Sequence, residues 1–259
     1  MISSLSNARI KAVIGLRHRK ARKVKGLFLV EGSREIGRAI HSNFELDCLY
    51  VSKEILSGEG EALLTHVGSK IQEVSQAVFS KMAIREDTDG LIAVFKVKTK
   101  RLSELSLGGN DFVLVLDRIE KPGNLGAILR TADGVGAKGV LLVDGIVDHF
   151  NPNVVRASVG AVFSVPVFNC TFDEFQLWKD AAKVNILCAS PEAENVVFDH
   201  DISGPAALVV GNEAEGLGSR WKEKDTGALV KLPMKGIGDS LNVSVACGIL
   251  AYEVLRQLR

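Results

Sequence analysis

Asn124 and Arg130 stand six positions apart in Lys121-Pro-Gly-Asn-Leu-Gly-Ala-Ile-Leu-Arg130, and Glu213 follows Gly211 and Asn212 at the end of an apolar run. Ser240 and Asn242 come just after Gly236 and Gly238, at the start of a long apolar stretch. The set holds neutral donors and acceptors, one carboxylate and one guanidinium, which are groups suited to orienting a polar substrate. Arg130 lies close to an otherwise apolar stripe and therefore needs an anion, either a ligand or a structural carboxylate. No Ser-His-Asp constellation accompanies these groups. His18, His41, His66, His149 and His200 fall outside the three segments and read as surface residues rather than bases. The four cysteines are scattered, with no CxxC and no Cys/His ligand spacing, so a reduced protein without a structural metal site is expected.

Each chemical group sits at a glycine turn after an apolar run. Phe112–Asp117 reads as a central parallel strand, and Pro122 and Gly123 as a turn before a helix opened by Asn124. Ala206–Val210 precedes Gly211, and Ala228–Leu232 precedes Pro233, Gly236 and Gly238. From about Leu241 a helix follows, with Leu241, Val245, Gly248, Ile249, Tyr252 and Leu255 on a face expected to be core-directed. That stripe is also the best candidate for a subunit interface. Further strands are expected at 139–143, 165–168 and 185–190, with helices at 151–163 and 171–183. Strand, turn and helix in alternation imply an α/β domain with a parallel sheet covered by helices. No GxGxxG follows the Phe112–Asp117 strand and no GxxxxGK[ST] occurs, which argues against a dinucleotide fold of that type and against a P-loop.

The first hundred residues have a different character. Short strands at 27–30, 46–51, 71–74 and 91–96 alternate with helical patterns, as in a smaller α/β domain. Lys96–Asn110 is polar and ends in Gly-Gly-Asn, so the expected division is a domain at 1–98, a linker at 99–110 and a second domain at 111–259. Net charge is +1 over 259 residues, yet the first forty hold ten Lys/Arg against Glu31 and Glu35. Arg17, Arg19, Lys20, Arg22, Lys23 and Lys25 cluster there, and are read as an RNA-facing patch, with a solvated helix end as the bland alternative. No apolar run reaches the ~18 residues of a membrane span, and Met1-Ile-Ser-Ser lacks the charged start of a signal peptide; a cytoplasmic protein is expected.

Three stretches in order, Asn124-Leu-Gly-Ala-Ile-Leu-Arg-Thr-Ala132, Leu208-Val-Val-Gly-Asn-Glu-Ala-Glu-Gly-Leu217 and Leu232-Pro-Met through Ser240-Leu-Asn-Val-Ser-Val-Ala246, resemble the motifs of the SpoU (TrmH) family of RNA ribose 2′-O-methyltransferases, in the SPOUT superfamily. Ser158–Pro166 matches as well, and residues 1–100 resemble, more loosely, the family's ribosomal-protein-like substrate-binding domain. Ala214 departs from the glycine that many members carry. The resemblance implies a C-terminal domain with a deep trefoil knot, S-adenosylmethionine bent within it, and a homodimer that completes the site. It implies Asn124, Arg130, Glu213, Ser240 and Asn242 as the catalytic surroundings. Gly211, Leu232 and Leu241 would contact the cofactor by backbone, with Ala189, Met234, Asn212 and Gly216 lining its pocket. Arg17, Arg19, Lys20, Arg22 and Lys23 would bind RNA, and no metal is required.

That chemistry suits these residue types. Methyl transfer from a sulfonium needs a nucleophile held in line with the methyl carbon. A ribose 2′-hydroxyl must be polarised or deprotonated, and Arg130 is the family's candidate for either role. Glu213 reads as a residue that fixes Arg130 or its own loop. The front domain favours 23S ribosomal RNA as substrate, with transfer RNA as the alternative and a catalytically silent RNA-binding module as a second one.

Overall fold

The computed structural model describes every residue except 66, 86, 87, 224 and 225. His66 lies outside the described residues. The chain divides into two compact units, Met1–Lys98 with Asp148–Ser164, and Thr99–Val147 with Val165–Arg259. The linker expected at 99–110 falls in the second unit. Residues 148–164, placed by the sequence within a continuous 111–259 domain, fall in the first.

The first unit opens with α1 (Ala8–Gly15) and α2 (Arg19–Lys25), then β1 (Leu27–Glu31), α3 (Ser33–His41) and β2 (Leu46–Val51). It continues with α4 (Gly58–Leu64), β3 (Ile71–Glu73), α5 (Gln76–Met82) and β4 (Leu91–Lys96). The sheet order is β1-β4-β2-β3, with β4 antiparallel to both its neighbours. Ile10 and Val13 of α1, with Leu16 just after it, pack with Tyr50, Phe79, Met82 and Ile92 in its core. Asn7 starts α1 by accepting from the backbone N–H of Arg9 and Ile10.

The second unit contributes β5 (Phe112–Asp117), α6 (Pro122–Gly134) and β6 (Val140–Val143). Pro122 is already inside the helix, at its first turn, because a residue without an N–H is tolerated there; the helix thus opens earlier than Asn124. The helix expected at 151–163 is broken into α7 (Pro152–Ala157) and α8 (Ala161–Ser164), both in the first unit. The break falls where Val159 and Gly160 both take positive φ, 54° and 81°. Arg38 donates to the Val159 carbonyl, and Phe150 stacks on Phe28 with centroids 4.2 Å apart, which fastens this segment to the first unit.

The remainder is β7 (Val167–Cys170), α9 (Phe172–Ala182), β8 (Asn185–Ala189), β9 (Asn195–Val196), β10 (Ala206–Val210), β11 (Ala228–Lys231) and α10 (Val243–Leu258). Seven strands form one parallel sheet in the order β7-β6-β5-β10-β8-β11-β9. Its central strands are buried throughout, as continuous Val/Leu/Ala runs require.

α10 turns the opposite way from the sequence expectation. Its buried face is Cys247, Leu250, Ala251, Val254 and Leu258, while Val245, Ile249 and Tyr252 are 51%, 41% and 57% exposed. Both faces of this helix are apolar, so periodicity shows stripes without saying which one meets the core. The helix lies beside α6 in parallel and constant register. Asn242 meets Asn124, Gly248 stands by Thr131, and Gly134 by Tyr252.

Candidate active site

The carboxyl ends of β10, β8 and β11 frame a cavity of about 420 Å³. Such a crevice at the carboxyl ends of parallel strands is where α/β sheets take their ligands. Ala189, Gly211, Asn212, Gly216, Leu232, Met234 and Leu241 all line it, as do Glu213, Ser240 and Asn242.

The loop after β10 closes on itself. Asn212 and Gly216 exchange two backbone hydrogen bonds of 3.0 Å, and Gly216 takes a positive φ of 66°. A Cβ on Gly211 would stand 2.3 Å from the Gly216 carbonyl carbon and 2.4 Å from the Leu217 nitrogen. Closure of the loop thus demands glycine at 211, independently of any ligand. Asn212 uses its side chain inside the protein: Oδ1 accepts from Ala214 and Glu215 N–H at 2.8 and 3.2 Å, and Nδ2 donates to the Arg118 carbonyl at 3.0 Å.

Glu213 points from this loop to the entrance of α6. Its carboxylate accepts from the backbone N–H of Lys121 at 3.2 Å and of Glu120 at 3.4 Å, and from Asn124 Nδ2 at 2.8 Å. Partial burial alone would raise the carboxyl, but these donors prevail and hold it below the ordinary carboxylate range. An anion at the first turn is also what the helix dipole favours. Glu213 therefore fixes Asn124 and the helix entry, and it is Asn124, not Arg130, that it binds.

Asn242 caps α10, its Oδ1 accepting from Ser244 N–H at 2.9 Å and from Ser244 Oγ at 2.7 Å. Its Nδ2 donates to Asn124 Oδ1 at 3.3 Å. Of the residues expected to act together, Glu213, Asn124 and Asn242 are hydrogen-bonded in series, and Ser240 lines the same cavity as Glu213 and Asn242. Arg130 lies exposed on α6 and is not among the cavity-lining residues. Because the guanidinium is in water rather than in the apolar stripe, it has no need of a structural anion.

Sequence reasoning missed Ser190 and Glu192, just after β8, and Ala246 and Leu250, one turn apart on α10. The signal available was position, since both sets lie next to named residues at a strand end or helix start. Among the described residues no cluster of His, Cys, Asp and Glu could hold a metal, and no helix is long and apolar enough to cross a membrane.

The basic segment is less uniform than its sequence. Arg22 is 3% exposed, bonded to Asp148 at 2.7 Å and to the carbonyls of Leu16 and Arg17 at 2.8 and 2.9 Å. Arg17 spends its guanidinium on the carbonyls of Lys81, Met82 and Ala83, which end α5. Arg22 is a buried fastener, so the expectation that it faces RNA is corrected, while Arg17 is half-buried and tied to the end of α5. Arg19, Lys20 and Lys23 are exposed, as is Lys25.

Comparison with known proteins agrees with this geometry. A model of the SpoU rRNA methylase family matches residues 111–252, and one of the MRM3-like substrate binding domain matches residues 7–93. The chain is 29% identical to a 23S rRNA (uridine(2479)-2′-O)-methyltransferase of Streptomyces viridochromogenes, over 97% of this chain and 90% of that protein. Among solved structures, an RNA 2′-O ribose methyltransferase superposes with a TM-score of 0.87 at 38% identity, covering 99% of this chain and 98% of the other. An AdoMet-bound rRNA methyltransferase from Sinorhizobium meliloti gives 0.89 at 30% identity, covering 100% and 98%.

Proposed function

Since the chain belongs to the SpoU rRNA methylase family, we propose that it transfers a methyl group from S-adenosylmethionine to a ribose 2′-hydroxyl of ribosomal RNA. The observation that carries this is the hydrogen-bonded series Glu213–Asn124–Asn242, which joins all three segments and has Glu213 and Asn242 on the wall of one cavity. Its walls suit that cofactor. Val210, Val230, Leu232 and Leu250 offer apolar surface for a purine, and Glu192, Glu213, Glu215 and Asp239 give the lining a negative charge that favours a sulfonium. When bound, the cofactor supplies an electrophilic methyl group.

The chain's own groups then orient the nucleophile. Asn242 donates its amide to the Asn124 oxygen, and Ser240 lies with Asn242 on the cavity wall. Glu213 stays ionised and keeps the Asn124 amide turned so that its oxygen faces Asn242. Arg130, free to move in solvent, supplies the charge that meets the RNA phosphate and polarises the hydroxyl.

The exposed stripe of Val245, Ile249 and Tyr252 supports a homodimer built on α10, with two-fold symmetry as the default. A trefoil knot through the C-terminal segment belongs to the same reading, as the resemblance of the three motifs implies. The first unit, matched by a substrate-binding family, takes the RNA through Arg19, Lys20 and Lys23. Ribosomal rather than transfer RNA is favoured by two 23S rRNA methyltransferases, of Streptomyces viridochromogenes and Bacillus subtilis, that match nearly the whole chain.

The test is methyl incorporation from labelled S-adenosylmethionine into purified ribosomal RNA and transfer RNA, followed by mapping of alkali-resistant linkages. Label at a ribose of ribosomal RNA is the expected result. Label confined to transfer RNA would move the substrate, and no label with either RNA would reject the enzyme.

A further inference from the structure

Asp117, the last residue of β5, is fully buried and holds an arginine on each carboxylate oxygen. Oδ1 meets Arg220 Nη2 at 2.6 Å, and Oδ2 meets Arg118 Nε at 3.3 Å. Neither arginine ends there. Arg118 takes a positive φ of 51°, and its Nη1 reaches Glu215 Oε2 at 2.8 Å while its carbonyl accepts from Asn212. Arg220 extends Nη1 to Asp144 at 2.6 Å, beyond the end of β6, and lies 4.3 Å from the ring centroid of Phe172. Trp221, fully buried, sets its own ring edge-on to the same phenylalanine at 5.0 Å.

The loop from Gly211 to Gly218 is thus tied on both sides. Arg118 grips its middle through Glu215 and Asn212, and Arg220 and Trp221 anchor the turn that follows it. Both arginine ties converge on one carboxylate. A buried ion pair contributes little to stability relative to apolar packing of the same shape, because desolvation offsets most of the attraction. What it adds is direction, since a guanidinium fork donates to carboxylates only in defined planes.

We propose that Asp117 is a positioning residue for the cofactor-binding loop, acting through Arg118 and Arg220. The loop wall made by Gly211, Glu213 and Gly216 keeps its place only while that carboxylate holds both cations. The proposal rests on the reading that the cavity takes S-adenosylmethionine.

The experiment compares wild type with Asp117→Asn, Arg220→Ala, Arg220→Lys and Arg118→Ala. Calorimetry measures S-adenosylmethionine affinity, and hydrogen exchange without cofactor follows residues 212–218. Asp117→Asn and Arg220→Ala should weaken binding by roughly three- to thirty-fold, inside the wider range for coupled neighbours, and speed exchange in that loop ahead of the sheet. Turnover at saturating cofactor should change less than affinity. Arg220→Lys should recover only part, because an ammonium cannot span Asp117 and Asp144 while covering Phe172. Should Asp117→Asn fail to fold, the partly exposed Arg118 and Arg220 variants carry the same test. Unchanged affinity and loop exchange in folded variants overturns the proposal, as does exchange that rises equally throughout the unit. Wild-type protein that binds no S-adenosylmethionine overturns the reading of the cavity, and the proposal with it.

Discussion

Asn124 donates through Nδ2 to Glu213 at 2.8 Å and accepts through Oδ1 from Asn242 at 3.3 Å, so one amide joins segments that lie 89 and 118 residues away in the chain. The direction of that amide is determined by chemistry. An ionised carboxylate can only accept, which turns the Asn124 nitrogen toward Glu213 and leaves its oxygen for the Asn242 amide. Any loss of charge at Glu213 should be felt at Asn242.

Glu213→Gln removes the charge while keeping the side chain's size. The folded protein holds the Glu213 carboxyl below its ordinary range, so the unfolded chain binds the proton more readily. The stabilisation is then complete above the ordinary carboxylate pKa of ~4.3 and is lost as pH falls through and below it. The gap in melting temperature between wild type and Glu213→Gln should be widest near neutrality and close in acid. A gap that stays constant from pH 7 to pH 3 would remove the charge from the account.

Arg130→Ala should leave stability nearly untouched, within the ±0.5 kcal/mol usual for an exposed side chain. Cofactor affinity should stay within a few fold. Turnover should fall by roughly 10²–10⁴, as when acid–base assistance is lost, and Arg130→Lys should restore little of it. Near-normal single-turnover methylation in the stable alanine variant would sink the catalytic role.

The basic segment should divide into two behaviours. Replacing Lys20, Lys23 and Lys25 by alanine should weaken RNA binding and flatten its salt dependence by up to ~0.7 log units per lost phosphate contact. Melting should not change. Arg22→Ala should instead destabilise the fold by roughly 3 kcal/mol, because it strands Asp148 and uncaps the carbonyls of Leu16 and Arg17. Titrations at several salt concentrations, beside melting curves, distinguish the two; a wild-type slope in the triple variant would return the patch to ordinary solvated surface.

Ile249→Glu places a charge on the exposed stripe of α10 without entering the core. If that stripe is a subunit interface, the variant should be a folded monomer by light scattering while wild type is a dimer at micromolar concentration. Wild type found monomeric and fully active would dispose of the interface.

Much of this protein is legible without coordinates wherever the deciding forces are local. β5, β6, β8, β10 and β11 were expected at nearly their observed places, because a doubly covered parallel strand has to be an unbroken apolar run. The cavity residues at 211–216 and 232–242 were also within reach, since glycine turns at strand ends are short-range features and the motifs there resemble a family's. Even so, the reason for Gly211 is tertiary: its missing Cβ makes way for Gly216 and Leu217. Only the fold decides that Arg22 is a buried partner of Asp148, 126 residues away, while Lys20 and Lys23 of the same helix stay exposed. The same holds for α10, where two apolar stripes compete and the folded unit buries Leu250 and Val254 while Ile249 and Tyr252 stay exposed. Sequence carries each residue's preference for water or for apolar surroundings. When several residues share a preference, the one that is buried is chosen by partners far along the chain, and that choice exists only once the chain has folded.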